Sequence, residues 1–320
     1  MARRRRPGEP PARGSAIHDG LVGDRALIGT AYLADPELRR EYARDIAPRT
    51  RAALAKILAQ VFPAGSTPPR RALDLGTGTG AAVEALRAHF GAALDVVGVD
   101  RVASPGVITA DLAVALPGGA GRFDVIVAAH LLGELYVHRP HDERVDARAR
   151  RVLTWAGGLL EAGGTIILVE PALRETSREL LAVRDQLLAL SDLEIVAPCF
   201  WTGACPALAR DRDWCHDAVE VAGSPRVDFS YLVLRDARRT TTEQPRYRIV
   251  SDPMPEKGRL KLYGCGPTGR HLFVRLDRHE SAGNAAFAEL VRGEVADIVG
   301  AASASDGLRI EAATSVARVP

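Results

Sequence analysis

The sequence predicts an α/β fold whose parallel sheet is covered by helices on both faces. Short apolar runs with the character of buried strands alternate with segments of helical spacing over residues 71–197. A glycine-rich turn joins the first of these strands to the helix that follows it. Because strands that alternate with helices run parallel and are buried on both sides, these observations together indicate that architecture.

The glycine-rich turn is the first candidate for a ligand site. Residues 73–80 read LDLGTGTG, and the next strand, residues 96–100, ends at Asp100. Glycines allow the backbone to approach a ligand closely at a helix N-terminus, and an acid that ends the second strand can accept hydrogen bonds from two ribose hydroxyls. The turn therefore predicts a nucleoside-containing ligand, although a glycine turn in some other α/β protein remains the alternative.

The order Asp-x-Gly-x-Gly-x-Gly differs from the G-x-G-x-x-G fingerprint of dinucleotide sites and resembles motif I of class I methyltransferases. That resemblance implies a Rossmann-like sheet that binds S-adenosylmethionine. A third strand, residues 107–111, ends at an acid that in such proteins often lies near the adenine amino group. The residues expected to bind the cofactor are Asp74, Gly76, Thr77, Gly78, Gly80, Asp100 and Asp111.

The remaining elements follow from periodicity and from helix-breaking residues. Residues 26–62 form a helical lead-in that Pro48 divides, and residues 123–128 form the fourth strand. A helix over residues 145–161 is expected to end at Gly163-Gly164 in a left-handed cap. A strand at 165–170, a helix at 174–190 and strands at 193–197 and 229–234 complete a sheet of five parallel strands and a closing pair.

His130 and Glu134 follow the fourth strand, four residues apart, at the start of a predicted helix. Ligands of parallel sheets bind outside the carboxyl ends of the strands, so both side chains are expected beside the cofactor. We expect them to be the catalytic residues. A capping or packing role for His130 is the alternative.

Composition and charge limit the possible partners. No apolar run approaches the roughly 18 residues that a membrane span needs, and residues 1–25 are expected to be a disordered basic tail without a targeting signal. Residues 238–278 contain ten Lys or Arg against four Asp or Glu. This local excess of positive charge favours a polyanionic partner. We expect a cytoplasmic bacterial protein that does not contact a membrane, with a monomer as the expected state.

The chain has four cysteines, and three of them, Cys199, Cys205 and Cys215, lie in one loop region between the sixth and seventh strands. The fourth, Cys265, stands between two glycines in a stretch expected to be a turn. Four thiols in irregular loops without C-x2-C pairs favour a [4Fe-4S] cluster. Zinc, with His216 as a spare ligand, and a pair of disulfides remain the alternatives.

The cysteine block resembles a particular family. The segments Pro198-Cys199, Cys205-Pro206, Trp214-Cys215-His216 and residues 229–235, with the late Cys265, look like the methyltransferase-like small ribosomal subunit assembly proteins of bacteria and mitochondria. Residues 47–50, 132–135 and 169–171 agree, and the resemblance covers residues 32–265. It implies S-adenosylmethionine binding, a [4Fe-4S] cluster on all four cysteines, and association with small-subunit ribosomal RNA.

Two hypotheses and a third alternative follow for function. The chain is either a methyltransferase acting on small-subunit ribosomal RNA, or an assembly factor in which cofactor and cluster have structural roles. A small-molecule methyltransferase would leave the basic segment and the cysteines unexplained. We expect a methyltransferase domain over residues 63–235, with a cysteine-rich loop at 198–216. A basic linker and a small β-rich domain are expected over residues 236–320, with a helix at 285–291 and a loop at 303–307.

Overall fold

Two mixed sheets organise the part of the chain that the computed structural model describes, residues 16–221, 226–237, 245–305 and 307–319. The first sheet has the order β3-β2-β1-β4-β5-β8-β6, with β7 paired to β8. Its strands are β1 (Arg71–Leu75), β2 (Asp95–Asp100), β3 (Val107–Thr109), β4 (Phe123–Ala129), β5 (Leu160–Pro171), β6 (Glu194–Ala197), β7 (Asp217–Val219) and β8 (Val227–Arg235). The strands β1 to β5 run parallel, and β8 is antiparallel to both of its neighbours in that order.

Helices cover both faces of the first sheet. They are α1 (Ala16–His18), α2 (Pro36–Asp45), α3 (Ala47–Val61), α4 (Ala81–Phe90), α5 (His141–Leu159) and α6 (Arg174–Leu190). Val125 and Val127 of β4 pack with α3 and α4, whereas Ile126 and Ala128 pack with α5 and α6. Because side chains alternate along a strand, consecutive apolar residues serve both cores.

A second sheet follows in the chain, with the order β14-β15-β12-β11-β9-β13-β16 and β10 paired to β11. Its apolar core includes Ile249, Leu262, Phe273 and Ile310, and it is closed by a 3-10 helix, Ala282–Ala288, that contributes Phe287. Its strands are β9 (Arg246–Ile249), β10 (Met254–Glu256), β11 (Arg259–Gly266), β12 (Gly269–Leu276), β13 (Val295–Val299), β14 (Ala302–Ala304), β15 (Gly307–Ile310) and β16 (Ser315–Val319).

A buried ion pair joins the two sheets. Arg248 of β9 and Asp217 of β7 are each 1% exposed, and Nη2 of the arginine lies 3.0 Å from Oδ2 of the aspartate. Lys56 of α3 donates to the other oxygen of Asp217, 2.8 Å away. Arg248 also donates to the carbonyl oxygen of Pro198 at 2.8 Å, so it holds the start of the cysteine-rich loop.

Several elements differ from the sequence-based expectation. Helix α5 ends at Leu159 rather than at Gly163, and the left-handed Gly163 (φ 76°) lies within the long strand β5. The strands β14 (Ala302–Ala304) and β15 (Gly307–Ile310) pair antiparallel, so strand residues occupy part of the loop that was expected at 303–307. Residues 282–288 form the 3-10 helix, where an α-helix was expected over 285–291.

The structure also differs from the sequence-based expectation in the N-terminal tail and in the basic linker. Residues 1–15 of the expected tail lie outside the described residues. Residues 16–23 form helical turns in which Ile17 is fully buried, so this part of the chain is ordered, contrary to the expectation. The basic linker contains four strands of the second sheet, β9 to β12. Within the described ranges, no helix has both the length and the apolarity that crossing a bilayer requires.

Candidate functional site

The glycine turn between β1 and α4 lies at the carboxyl end of the parallel strands. Gly76, Gly78 and Gly80 all have positive φ, at 73°, 52° and 87°. A Cβ atom on Gly76 would lie 3.2 Å from the Leu131 side chain, so this position also needs a residue without a side chain. Gly76 and Gly78 line a cavity of about 390 Å³, a size typical of small-ligand sites.

Three of the expected cofactor residues shape the turn without lining this cavity. Asp74 is 1% exposed and accepts a hydrogen bond from the Thr77 hydroxyl at 2.7 Å. Burial raises the pKa of Asp74 to about 7, against the opposing effect of the Thr77 hydrogen bond. Gly80 provides the N-cap of α4. These residues fix the conformation that brings Gly76 and Gly78 to the cavity.

Asp100 and Asp111 line the same cavity, as expected. The two oxygens of Asp100 accept hydrogen bonds from the backbone N–H groups of Gly78 and Val102, each at 2.8 Å. Asp111 accepts from Ala113 N–H at 2.9 Å through Oδ1. Each carboxylate oxygen has two lone pairs, so both acids are held in place and retain acceptor capacity for a ligand.

His130 follows β4 in a left-handed conformation, with φ of 57°. It is half-buried, and its ring Nε2 lies 3.2 Å from the Thr50 hydroxyl, which donates to the carbonyl oxygen of Ile46. That arrangement favours a proton on Nε2, leaving Nδ1 as an acceptor. Nδ1 is shielded from solvent and has no hydrogen-bond partner among the described residues. Burial lowers the pKa of His130 to about 4, so the ring is neutral near pH 7.

Glu134 ends the 3-10 helix Leu132–Glu134 and lines the cavity with His130. Its Oε1 accepts a hydrogen bond from the Tyr32 hydroxyl at 2.9 Å, and Arg101 lies 3.4 Å from Oε2. Burial raises the pKa of Glu134, and the contacts with Tyr32 and Arg101 act in the opposite direction. The structure therefore places both proposed catalytic residues beside the expected cofactor residues.

Sequence reasoning missed two aromatic residues of the site. Tyr32 and Tyr42 come from the lead-in region, where their spacing indicated only an apolar helical face. Both line the cavity, and Tyr42 is 8% exposed. The lead-in folds against the carboxyl ends of the strands. Apolar positions that indicated only helix packing therefore line the site.

The four cysteines converge on a separate cavity. Cys199, Cys205, Cys215 and Cys265 all line a space of about 40 Å³, and all are free thiols, so the disulfide alternative does not apply. The sequence predicted a turn around Cys265, but this residue lies in strand β11, which pairs with β9 and β12. The flanking glycines allow close packing, since a Cβ on Gly264 would lie 2.6 Å from Phe273.

Positive charge surrounds the thiols. Arg184, Arg248 and Arg270 line the same cavity. Burial raises the pKa of Cys205 to about 12, and the neighbouring sulfurs of Cys199 and Cys215 act in the same direction. Within the described ranges, no three His, Cys, Asp or Glu side chains are arranged to hold a metal ion. His216, the expected spare zinc ligand, does not line the cavity and stacks against Trp214.

The strand order, the reversed strand β8 and the glycine turn followed by Asp100 define a Rossmann-like class I methyltransferase fold. The chain belongs to the family described as mitochondrial small ribosomal subunit Rsm22, whose model matches residues 39–272. It is therefore a methyltransferase-like member of a small-ribosomal-subunit family. No curated protein matches the sequence.

Solved structures similar to this chain include proteins described as methyltransferases. The plantazolicin methyltransferase BpumL in complex with SAH is 15% identical, with a TM-score of 0.43, covering 69% of this chain and 98% of its own. TrmN from Thermus thermophilus is 20% identical, with a TM-score of 0.36, covering 60% and 52%. A SAM-dependent methyltransferase from Aquifex aeolicus is 14% identical, with a TM-score of 0.39, covering 63% and 99%.

Proposed function

We propose that the chain binds S-adenosylmethionine in the cavity beside the glycine turn and methylates small-subunit ribosomal RNA during assembly. The observation that carries the proposal is the convergence of Gly76, Gly78, Asp100 and Asp111 on one cavity at the carboxyl ends of β1 to β3. Asp100 would bind the ribose and Asp111 the adenine amino group. The family, a small-ribosomal-subunit one, supports the choice of RNA.

The bound cofactor supplies a methyl group on a positively charged sulfur, so the protein mainly has to position the acceptor. The acceptor atom forms the new bond to carbon while the carbon–sulfur bond breaks and sulfur keeps the electron pair. A proton lost by the acceptor can pass to Nδ1 of His130, because this nitrogen is unprotonated and unpartnered among the described residues. Glu134, held by Tyr32 and Arg101, would orient the acceptor or the amino-acid end of the cofactor.

We further propose a [4Fe-4S] cluster on Cys199, Cys205, Cys215 and Cys265. The four free thiols line one cavity, and Arg184, Arg248 and Arg270 offset the negative charge that a thiolate-bound cluster carries. Within the described ranges these side chains are not already arranged as a set of metal ligands, so loading would require the loops that carry the first three cysteines to shift. Zinc is the alternative outcome of the same test.

Methyl transfer from labelled cofactor to immature small subunits, measured with anaerobically purified protein, tests the activity. Label in the RNA supports the enzyme, with the His130→Ala variant expected to bind cofactor but transfer much more slowly. If the protein binds the subunits and transfers no label, it is an assembly factor instead. Elemental analysis of the same sample should find iron and sulfide, whereas a colourless sample containing zinc would overturn the cluster assignment.

A further inference from the structure

A second cavity adjoins the first. It has a volume of about 220 Å³, and four side chains, Tyr32, Tyr42, His130 and Glu134, line both spaces. A group in the second cavity would therefore lie across these four residues from a ligand of the first. The volume falls below the range of about 300 to 1,000 Å³ that is typical for whole small-molecule ligands, so it suits one part of a larger molecule.

The walls of the second cavity combine apolar surface with a few polar groups. Leu21, Ile46, Leu173 and Phe229 provide the apolar part, and Phe229 is 2% exposed. Such walls suit a flat ring that can pack against side chains on its faces.

Two buried polar groups in this cavity have unused hydrogen-bonding capacity. Glu170 is 3% exposed, and its Oε1 accepts from Gly133 N–H at 2.9 Å. The Gly133 bond uses Oε1, so Oε2 can still accept a hydrogen bond, and Nδ1 of His130 is without a partner in the described ranges. Buried groups of this kind normally have partners, and here a ligand with polar edges would supply them.

Arginines lie along the same cavity. Arg25 and Arg49 are half-buried, and neither side chain forms a hydrogen bond or a salt bridge with another described residue. Arg226, by contrast, is paired with Asp228 and Asp252. Arg25 is also held in a left-handed conformation, with φ of 61°. The charge of Arg25 acts on the Glu170 carboxyl and opposes the rise of its pKa, but neither guanidinium is engaged in a direct ion pair with a described residue. Partly buried guanidinium groups of this kind are suited to binding phosphate.

We infer that the second cavity receives a single nucleobase turned out of an RNA strand. The base ring would pack against Phe229, its polar edge would meet Glu170 and His130, and the flanking phosphates would bind Arg25 and Arg49. This inference rests on the proposed function, because it names the part of the RNA that lies beside the methyl donor. It adds a base-binding pocket, with its own residues, to the cofactor cavity.

The first test fills the pocket. Ala172 lines the second cavity but not the first, so Ala172→Phe should block a base and leave the cofactor site intact. The probe is a single-stranded RNA carrying one 2-aminopurine, whose emission reports unstacking. We expect wild-type protein to change the emission severalfold and Ala172→Phe to abolish that change. Ala313→Phe, a substitution at an exposed position in the turn between β15 and β16, is the matched control and should behave as wild type.

The second test removes the charges. Arg25→Gln and Arg49→Gln should each reduce the slope of log affinity against log salt by about 0.7, the value for one phosphate contact on a single strand. Arg150→Gln, which removes one exposed charge from α5, should leave the slope unchanged. This test remains valid if Ala172→Phe does not fold, because neither arginine is needed for core packing.

The outcomes separate the two proposals. Binding of S-adenosylhomocysteine is measured for every variant by calorimetry. If wild-type protein binds neither this ligand nor RNA, the proposed function fails and the pocket with it. If both bind, but Ala172→Phe retains the emission change or the arginine variants retain the slope, the base pocket is wrong and the proposed function stands.

Discussion

Asp111 has one oxygen committed to the backbone and one available to a ligand. Oδ1 accepts the Ala113 N–H, so Asp111→Asn can keep that bond while placing an amide donor where Oδ2 was. A donor there would oppose the adenine amino group. We expect cofactor affinity to fall by about tenfold, corresponding to roughly 1 to 2 kcal/mol, as measured by calorimetry with S-adenosylhomocysteine.

The control for Asp111→Asn is Asp95→Asn, at the outer end of β2, where the carboxylate pairs with Arg71 far from the cavity. An analogue with inosine in place of adenosine sharpens the test, because its oxygen would accept from the new amide. Equal loss of affinity for both analogues would show that Asp111 does not contact the base.

Glu170 gives a prediction about pH. Burial raises its pKa to about 7, against the opposing effect of the Gly133 hydrogen bond. The folded state therefore holds the proton more tightly than the unfolded chain, and this group's stabilisation is lost as pH rises from about 4.5 to about 7. Glu170→Gln does not titrate. Relative to wild type, its free energy of unfolding should gain up to about 3 kcal/mol over that window, measured by urea denaturation.

The Glu220→Gln variant, at an exposed position, serves as the comparison for Glu170→Gln. A difference between Glu170→Gln and wild type that stays constant from acid to neutral pH would contradict the assignment. It would mean that Glu170 titrates as it does in the unfolded chain.

The strand β9 carries two arginines whose environments differ. Arg248 is 1% exposed and binds Asp217 and the Pro198 carbonyl, whereas Arg246 forms a partly exposed pair with Asp297. Arg248→Ala would leave a buried carboxylate with Lys56 alone, so we expect a loss of about 3 to 5 kcal/mol in the free energy of unfolding. Arg246→Ala should cost about 1 kcal/mol or less. Urea denaturation of the two variants provides the comparison.

The double variant Arg248→Ala with Asp217→Ala separates the ion pair from packing. If the unpaired carboxylate causes the loss, the second substitution should recover part of it. A double variant that is less stable by the sum of the two single losses would show that the pair itself is not the cause. Although Arg248 belongs to the basic segment 238–278, its guanidinium is buried between the sheets and does not add to an exposed basic surface.

The spacing of apolar residues was sufficient to predict helices and strands whose conformation depends mainly on their own residues. Helix α6 has the predicted bounds because its apolar spacing is regular, and the buried strands of the first sheet follow from short apolar runs. Gly163 shows the limit of this reasoning. A glycine with positive φ fits both a helix cap and an irregular strand, and β5 uses it in the second way.

The local sequence pattern could not predict which strands pair over long range. Gly264 and Gly266 suggested a turn around Cys265, yet their missing side chains accommodate Phe273 and Tyr247 inside a sheet. For the site, the structure brings Gly76, Gly78, Asp100 and Asp111 together on one cavity, and their binding of the cofactor stays a prediction. Nothing local indicated that Tyr42 would join them, because only the packing of the lead-in brings it there.

The proposed cluster would connect the two sheets of the molecule. Three of its cysteines lie between β6 and β8 of the first sheet, and Cys265 lies in β11 of the second. Anaerobically loaded protein should unfold as one unit, and removal of the cluster should lower Tm by several degrees, since a ligand bound only to the folded state stabilises it. Differential scanning calorimetry before and after chelation measures this effect.

Cys265→Ser provides the control for cluster removal. It retains the fold of β11 but takes away the ligand from the second sheet, so chelation should change its Tm much less than that of wild type. If chelation lowers the Tm of both proteins equally, the cluster stabilises the first sheet alone. If Tm of wild type does not change, the four thiols do not hold a stabilising group.

Three non-glycine residues in the described ranges have left-handed backbones, Arg25, His130 and Tyr136, and all three line one or both of the adjoining cavities. That conformation costs each residue about 1 kcal/mol. Glycine at any of them would relieve the strain while deleting the side chain that faces the site. Directed evolution that selects only for thermal stability would therefore favour glycine at these positions and yield more stable proteins that lack the function of the site.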